Sequence, residues 1–113
     1  MRDFKLYLKD IIVAAKAIVD FINGMNYEQF CDDDKTVSAV IKKLEIMGEA
    51  AKKIPPEITQ ISSEIPWKEM AGMRDILIHS YFGTEFAAVW NAAKTSIPEL
   101  IPKIEKLIKY LKQ

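Results

Sequence analysis

Residues 4–22 read FKLYLKDIIVAAKAIVDFI, and their apolar side chains recur at alternating intervals of four and three residues. This spacing places them on one stripe of an amphipathic helix, which packs on other helices through that stripe. The stripe comprises Phe4, Leu8, Ile11, Ala15, Ile18 and Ile22. Asn23-Gly24 follows, and a glycine at this point can adopt the left-handed conformation that ends a helix. The sequence therefore predicts a first helix that ends at this dipeptide.

The same spacing continues through a second stretch, which ends at Ile54 before Pro55-Pro56. Its apolar stripe is formed by Val37, Ile41, Leu44, Gly48 and Ala51. Because a glycine inside a helix costs about 1 kcal/mol relative to alanine, Gly48 indicates that another helix crosses closely there.

Two more helices are predicted in the second half of the chain. One begins near Pro66 and runs to Gly83, with apolar residues on nearly every side, so we expect it to be buried between neighbours. The last covers Phe86 to Leu111 in unbroken register, and we expect it to bend or restart near Pro98 while keeping one buried face.

The connections between these helices carry turn and capping signals. Asn26 can cap a short turn through Phe30, and the acidic residues 32–34 offer N-caps for the second long helix. Residues 55–66 lack a long period, so we expect a loop there with at most one turn of helix.

No segment alternates apolar and polar residues for the length of a strand. The predicted fold class is therefore all-α, an up-and-down antiparallel bundle of four main helices with short helical turns. A length of 113 residues, half of them hydrophobic, fits one domain over residues 1–113.

Composition limits the function classes. Sixteen basic and sixteen acidic residues leave no net field that would attract nucleic acid or a membrane to the whole molecule. The apolar runs are too short to span a bilayer, and the N-terminus lacks the apolar core of a signal peptide, so we expect a cytoplasmic protein without membrane contact. One cysteine, Cys31, excludes an internal disulfide and a cysteine-based zinc cluster.

The third helix carries the residues that could do chemistry. Residues 73–83 read MRDILIHSYFG and include the only histidine, His79. Arg74, Asp75 and His79 would be costly on a buried helix unless they pair, cap the helix or face a cleft. Asp75 lies one turn before His79 and is placed to hold its imidazole.

Arg74 and His79 are about 140° apart around an ideal helix, too far to converge easily on one small group. Either the helix loses its regular geometry near His79, or two such helices meet across a two-fold axis. A purely structural alternative pairs Arg74 with Glu45 or Glu49 and lets His79 cap the helix C-terminus.

The motif resembles that of the HEPN ribonucleases, specifically the HepT-like toxins of prokaryotic toxin–antitoxin pairs. The resemblance rests on Arg, four residues, His, one residue and Tyr over residues 74–81. It extends through VIKKLEIMGEA at 40–50, PPE at 55–57, IPW at 65–67 and VW at 89–90. These segments cover most of the chain in family order, and the family's fold is a helical bundle.

The resemblance implies a metal-independent endoribonuclease, the toxin of a type VII-like pair, with a composite site at a homodimer interface. It assigns catalysis to Arg74 and His79, and Asp75 matches the polar residue that often follows the arginine. Tyr81 matches the tyrosine to which a partner nucleotidyltransferase antitoxin adds AMP, which silences the toxin. The expected RNA products end in a 2′,3′-cyclic phosphate.

These residue types suit that chemistry. A histidine can accept the proton of a ribose 2′-hydroxyl near neutral pH, and an arginine can hold a phosphate with two hydrogen bonds. No cluster of carboxylates and histidines stands in the motif, so we expect neither a metal nor another cofactor. Glu45 and Glu49 are one turn apart, but Lys42 and Lys53 lie nearby, so we expect a solvated or ion-paired face there and not a metal site. The remaining alternative is a non-catalytic helical subunit that docks a nucleotidyltransferase and binds a nucleotide.

Overall fold

A computed structural model describes the backbone of residues 3–80 and 86–112, and the side chains of residues 3–73 and 86–112. Every regular element in these ranges is helical, which confirms the all-α class. The helices are α1 (Phe4–Phe21), α2 (Tyr27–Asp32), α3 (Asp34–Lys52), α4 (Pro56–Ile61), α5 (Trp67–Ser80), α6 (Phe86–Asn91) and α7 (Ile97–Leu111). A π-helical turn, Ala92–Ser96, joins α6 to α7.

The predicted helix caps in the first half of the chain are confirmed, although α2 runs to Asp32, two residues past the expected end at Phe30. Gly24 has a φ of +80° just after α1. Asn26 and Gln29 form a reciprocal capping box on α2, with N···O distances of 2.8 and 2.9 Å. The Asp33 carboxylate accepts the Thr36 N–H at 3.1 Å and caps α3. This hydrogen bond lowers the pKa of Asp33 below its ordinary value.

The long helices pack around one apolar core. Both α3 and α7 contact α1 and run antiparallel to it, since Tyr7 lies near Lys53 and Leu8 lies near Leu111. Within the described residues, helix α5 packs against α3. The innermost side chains are Leu8, Ile11, Ala15, Ile18, Phe30, Val40, Met47, Ala93 and Ile104. The predicted bundle of four main helices is confirmed.

The segment between α3 and α5 differs from the prediction. Residues 55–66 contain the six-residue helix α4, whereas a loop with at most one turn was expected. Pro56 occupies the first helical turn, where its fixed φ favours a helix and its missing N–H costs nothing. Ile58 is buried, so this short helix is also held by the core.

The last helical region keeps its predicted continuous face. Ala93, Ile97, Leu100, Ile104 and Leu107 are all buried. Pro98 has no N–H for the carbonyl four residues before it, and the backbone adapts through the π-helical turn just ahead of α7. The irregularity expected near Pro98 is confirmed, and it takes this form.

Helix α5 is more one-sided than expected. Trp67 and Met70 are buried, Lys68 and Glu69 are exposed, and residues 71–73 are half-buried. Through Met73 the expectation of burial on every side is therefore wrong. Two charged residues in the first two turns of α5 already face solvent.

Candidate active site

The predicted catalytic residues all lie on α5. The helix is regular from Trp67 to Ser80, so positions 74, 75 and 79 share one rigid element. The side chains of these three residues lie outside the described part of the chain. Tyr81, the predicted modification site, lies outside the described residues altogether.

The regular backbone of α5 argues against one of the two ways in which Arg74 and His79 could converge. Loss of helical geometry near His79 was one way to bring it towards Arg74, but α5 remains helical through Ser80. Positions 74 and 79 are therefore separated by about 140° around the axis and about 7.5 Å along it. Asp75 and His79 are one turn apart.

A buried hydrogen-bond relay fixes the start of α5. Trp67 Nε1 donates to Ser62 Oγ at 3.1 Å, and Ser62 Oγ donates to the Ile58 carbonyl at 2.5 Å. Ser62 is only 1% exposed. One hydroxyl thus ties the first residue of α5 to the end of α4. A helix held at its first residue presents positions 74 and 79 at a fixed height and rotation.

The sequence did not single out Ser62, which anchors the start of α5. Ser62 stands in the stretch expected to be a loop, beside Ser63, which is exposed. The signal that could have found it is Trp67, because a buried indole N–H usually needs an acceptor. The sequence spacing alone does not say which of the two serines provides it.

Helix α3 contacts both α1 and α5. Gly48 is buried within α3, and the close helix approach expected there stays a prediction.

A polar cleft of about 420 Å³ lies between α1 and α3. Its lining includes Tyr7 and Asp10 of α1, Lys42, Glu45 and Glu49 of α3, and Lys53, which follows α3 directly. Lys42 Nζ is 4.0 Å from Glu45 Oε2, so the expectation of an ion-paired face is met at Glu45. The alternative that pairs Arg74 with Glu45 or Glu49 depends on the Arg74 side chain, which lies outside the described part of the chain.

Among the residues with described side chains, no group of three or more histidine, cysteine, aspartate or glutamate residues could hold a metal ion. No helix within the described ranges is long and apolar enough to cross a membrane.

Comparisons with known proteins agree with the motif. Residues 11–107 match the family model "Ribonuclease HepT-like". A Thermococcus cleftensis protein named "Probable ribonuclease HepT" is 48% identical over 108 residues, covering 96% of this chain and 98% of that protein. A Methanocaldococcus jannaschii protein with a provisional RNase name is 46% identical over 112 residues, covering 99% of this chain and 97% of its own.

A second M. jannaschii protein is longer. It is named for a gamma-glutamylcyclotransferase together with a provisional RNase, and it is 37% identical over 110 residues. The match covers 97% of this chain but 50% of that protein. No solved structure matches this chain.

These matches span nearly the whole chain, including the flanking segments on which the sequence resemblance rests. They confirm both the suspected family and the predicted enzyme class, a ribonuclease. The chain belongs to the HepT-like ribonuclease family.

Proposed function

We propose that this chain is a toxin endoribonuclease that cleaves RNA without a metal, with Arg74 and His79 as its catalytic residues. The observation that supports this most is the regular α5, which carries both residues in a chain that matches a ribonuclease family over nearly its full length. A firmly held helix is the kind of scaffold that keeps catalytic groups in place.

In the proposed reaction, His79 accepts the proton of a ribose 2′-hydroxyl. The 2′-oxygen attacks the adjacent phosphorus, the bond from phosphorus to the 5′-oxygen breaks, and that oxygen takes up a proton. The products are a 2′,3′-cyclic phosphate and a 5′-hydroxyl. Arg74 donates its planar pair of hydrogen bonds to the phosphate oxygens as charge builds on them. Asp75, one turn before His79, orients the imidazole.

The proposed site is composite and lies at a homodimer interface. Because α5 stays helical through Ser80, Arg74 and His79 of one chain diverge around its axis. Two copies of α5 related by a two-fold axis would place the arginine of one subunit beside the histidine of the other. This arrangement satisfies the divergence without distorting the helix.

Single substitutions test the catalytic assignment. His79→Ala and Arg74→Ala should each lower the rate of RNA cleavage at least 100-fold, because removing a general base or a charge-stabilising donor has effects of that size. Arg74→Lys keeps the charge but loses the paired hydrogen bonds, so it should also lose most of the activity. Asp75→Ala should weaken cleavage without abolishing it. Helicity and the melting temperature serve as folding controls.

Mixing subunits tests the composite site. A heterodimer of one Arg74→Ala chain and one His79→Ala chain keeps one arginine and one histidine intact on opposite subunits. If the site is shared across the interface, the mixture should regain activity that neither variant has alone. A mixture that stays inactive, although the heterodimer forms, would show that each site uses residues of one chain.

The non-catalytic alternative predicts a different set of results. Purified wild-type protein would then cleave no RNA but would still bind a nucleotidyltransferase and a nucleotide. That alternative is excluded if His79→Ala abolishes cleavage while substitution of an exposed residue such as Tyr110 leaves cleavage unchanged.

The proposed regulation acts on Tyr81. A cognate nucleotidyltransferase antitoxin would add AMP to this tyrosine, which follows His79 by two residues. The added phosphodiester carries a negative charge and could occupy the place of the RNA phosphate beside Arg74. Inhibition would then need no change of fold. This proposal rests on family membership and on the position of Tyr81 in the motif.

We also propose that residues 1–113 act as a single HEPN-like domain in the cytoplasm. The longer M. jannaschii relative supports the domain assignment, because the whole of the similar region occupies half of that protein. A cytoplasmic location fits an enzyme whose substrate is cellular RNA.

A further inference from the structure

An exposed aromatic cluster joins α2 to α6. The Trp90 ring lies 5.2 Å from the buried Phe30 ring and 6.2 Å from the Tyr27 ring, measured between centroids. Lys94 Nζ lies 5.9 Å from the centre of the Trp90 ring. Tyr27 is 41% exposed and Phe86, one turn before Trp90 on α6, is 40% exposed. Burial in the core therefore does not account for Tyr27 and Phe86.

The orientation of this cluster is fixed by the core beneath it. Phe30 is fully buried, and Trp90 is half-buried against the same core. The side chain of Cys31, one turn further along α2, raises the pKa of Tyr27, and the Tyr27 ring itself packs towards Trp90. A preformed aromatic surface needs little ordering when it binds a flat partner.

The cluster is close to the proposed site along the chain. Helix α6 begins six residues after Ser80, the last residue of α5. Six residues span at most about 21 Å, which corresponds to about six nucleotides of a stacked strand. A strand held at positions 74–79 therefore needs only a few more nucleotides to reach the cluster.

The charges around the cluster are arranged unevenly. Lys94 is exposed above Trp90 and can contact a phosphate. On α2, Glu28 and Asp32 lie about 100° and 140° around the axis from Tyr27. The acidic side chains are therefore on another face of α2, and they would repel a phosphate backbone that crossed there. Together these charges favour a strand that approaches from the α6 side.

We propose that Tyr27, Trp90 and Lys94 form a subsite for an unpaired nucleotide a few positions away from the cleaved bond, with Phe86 extending the aromatic surface. This inference rests on the proposed ribonuclease function and adds the nature of its substrate, single-stranded RNA. Stacking on aromatic rings with a nearby cation is how proteins hold single strands with little sequence preference. It would also add local RNA affinity to a chain whose net charge is zero.

Binding in an inactive background tests this subsite separately from catalysis. The probes are fluorescein-labelled 12-nucleotide RNAs, all-adenosine and all-uridine, whose anisotropy is measured with the His79→Ala protein. Adding Tyr27→Ala should weaken binding of both RNAs about five-fold or more, because stacking on one side chain has an effect of this size. Tyr27→Phe should retain the affinity. Tyr110→Ala, which removes a 60% exposed tyrosine on α7, is the matched control and should change nothing.

Lys94→Gln adds an independent readout. If Lys94 contacts a phosphate, this variant should make the slope of log affinity against log salt less negative by about 0.7. Lys106→Gln on α7 should leave the slope unchanged. An A12·U12 duplex should bind less well than either single strand, since its bases are not free to stack.

The results separate the subsite from the proposed function. If Tyr27→Ala behaves like Tyr110→Ala while the wild-type protein cleaves RNA, the subsite is wrong and the ribonuclease assignment stands. If single strands bind through Tyr27 but wild-type protein cleaves nothing, the subsite is supported and the catalytic assignment fails. If the His79→Ala protein binds neither RNA, the subsite is wrong.

Discussion

Replacing Ser62 by alanine should lower the free energy of unfolding far more than replacing its exposed neighbour Ser63. The hydroxyl is buried, accepts the Trp67 indole N–H at 3.1 Å and donates to the Ile58 carbonyl. Its removal leaves a buried indole donor without its acceptor, which costs about 1–3 kcal/mol. The entropy of unfolding for 113 residues is about 0.24 kcal/mol per degree, so the melting temperature should fall by about 4–13 °C.

Thermal and urea unfolding followed by circular dichroism measure this loss. Ser63→Ala is the matched control, because Ser63 is adjacent and exposed, and its effect should stay within about 0.5 kcal/mol. Trp67→Phe removes the donor, and adding Ser62→Ala to that variant should cost much less than it does in the wild type. Equal effects of Ser62→Ala and Ser63→Ala, or additive effects of the two core substitutions, would refute the proposed anchoring of α5.

Four further outcomes follow from the structure and the proposed function. Because the pKa of Asp33 is lowered in the folded state, its charge stabilises the protein fully above about pH 4, and this contribution is lost as the pH falls through the lowered pKa; urea unfolding should show Asp33→Asn less stable than wild type at about pH 7, with a difference that shrinks steadily as the pH is lowered below about 4. Gly24→Ala, at a φ of +80°, should cost about 1–2 kcal/mol, whereas Gly72→Ala, where an added methyl meets open space in a helix, should stabilise by about 0.5–1 kcal/mol in the same assay. Light scattering should show a dimer at tens of micromolar, and a fully active monomer would contradict the composite site. Intact mass after co-expression with the cognate nucleotidyltransferase should show added AMP on the wild type and none on Tyr81→Phe; unchanged adenylylation of that variant would refute the assignment to Tyr81.

The bundle could be predicted because its helices are strongly periodic and sharply ended. Gly24, Asn26 and Asp33 mark helix ends through local backbone chemistry, and each acts where the sequence placed it. Local signals of this kind do not depend on distant parts of the fold. The buried face of α7 likewise followed from spacing alone.

The segment between α3 and α5 could not be predicted because its structure depends on tertiary contacts. Helix α4 is too short for a periodic signal, and Ile58 becomes a core residue only once α4 packs on the bundle. The role of Ser62 depends on Trp67 reaching back to it, which no local pattern reports. The aromatic contact between Tyr27 and Trp90 joins residues far apart in the chain for the same reason.

The candidate site was predictable as a set of residues on one helix, and less so as an arrangement. The spacing gave the angle between Arg74 and His79, but whether the helix continued past His79 required the backbone. Its regularity through Ser80 favours a site shared between two subunits. The roles of Arg74, Asp75 and His79 remain proposals that the substitutions above test.

The most direct test of the central claim is the chemistry of the RNA ends that the purified protein produces in excess EDTA. Mass spectrometry of the fragments should show 2′,3′-cyclic phosphate and 5′-hydroxyl ends with wild-type protein. The same fragments should be at least 100-fold less abundant with His79→Ala. Cleavage that EDTA abolishes and added magnesium restores, or that continues unchanged in His79→Ala, would contradict a metal-independent ribonuclease with His79 as its base.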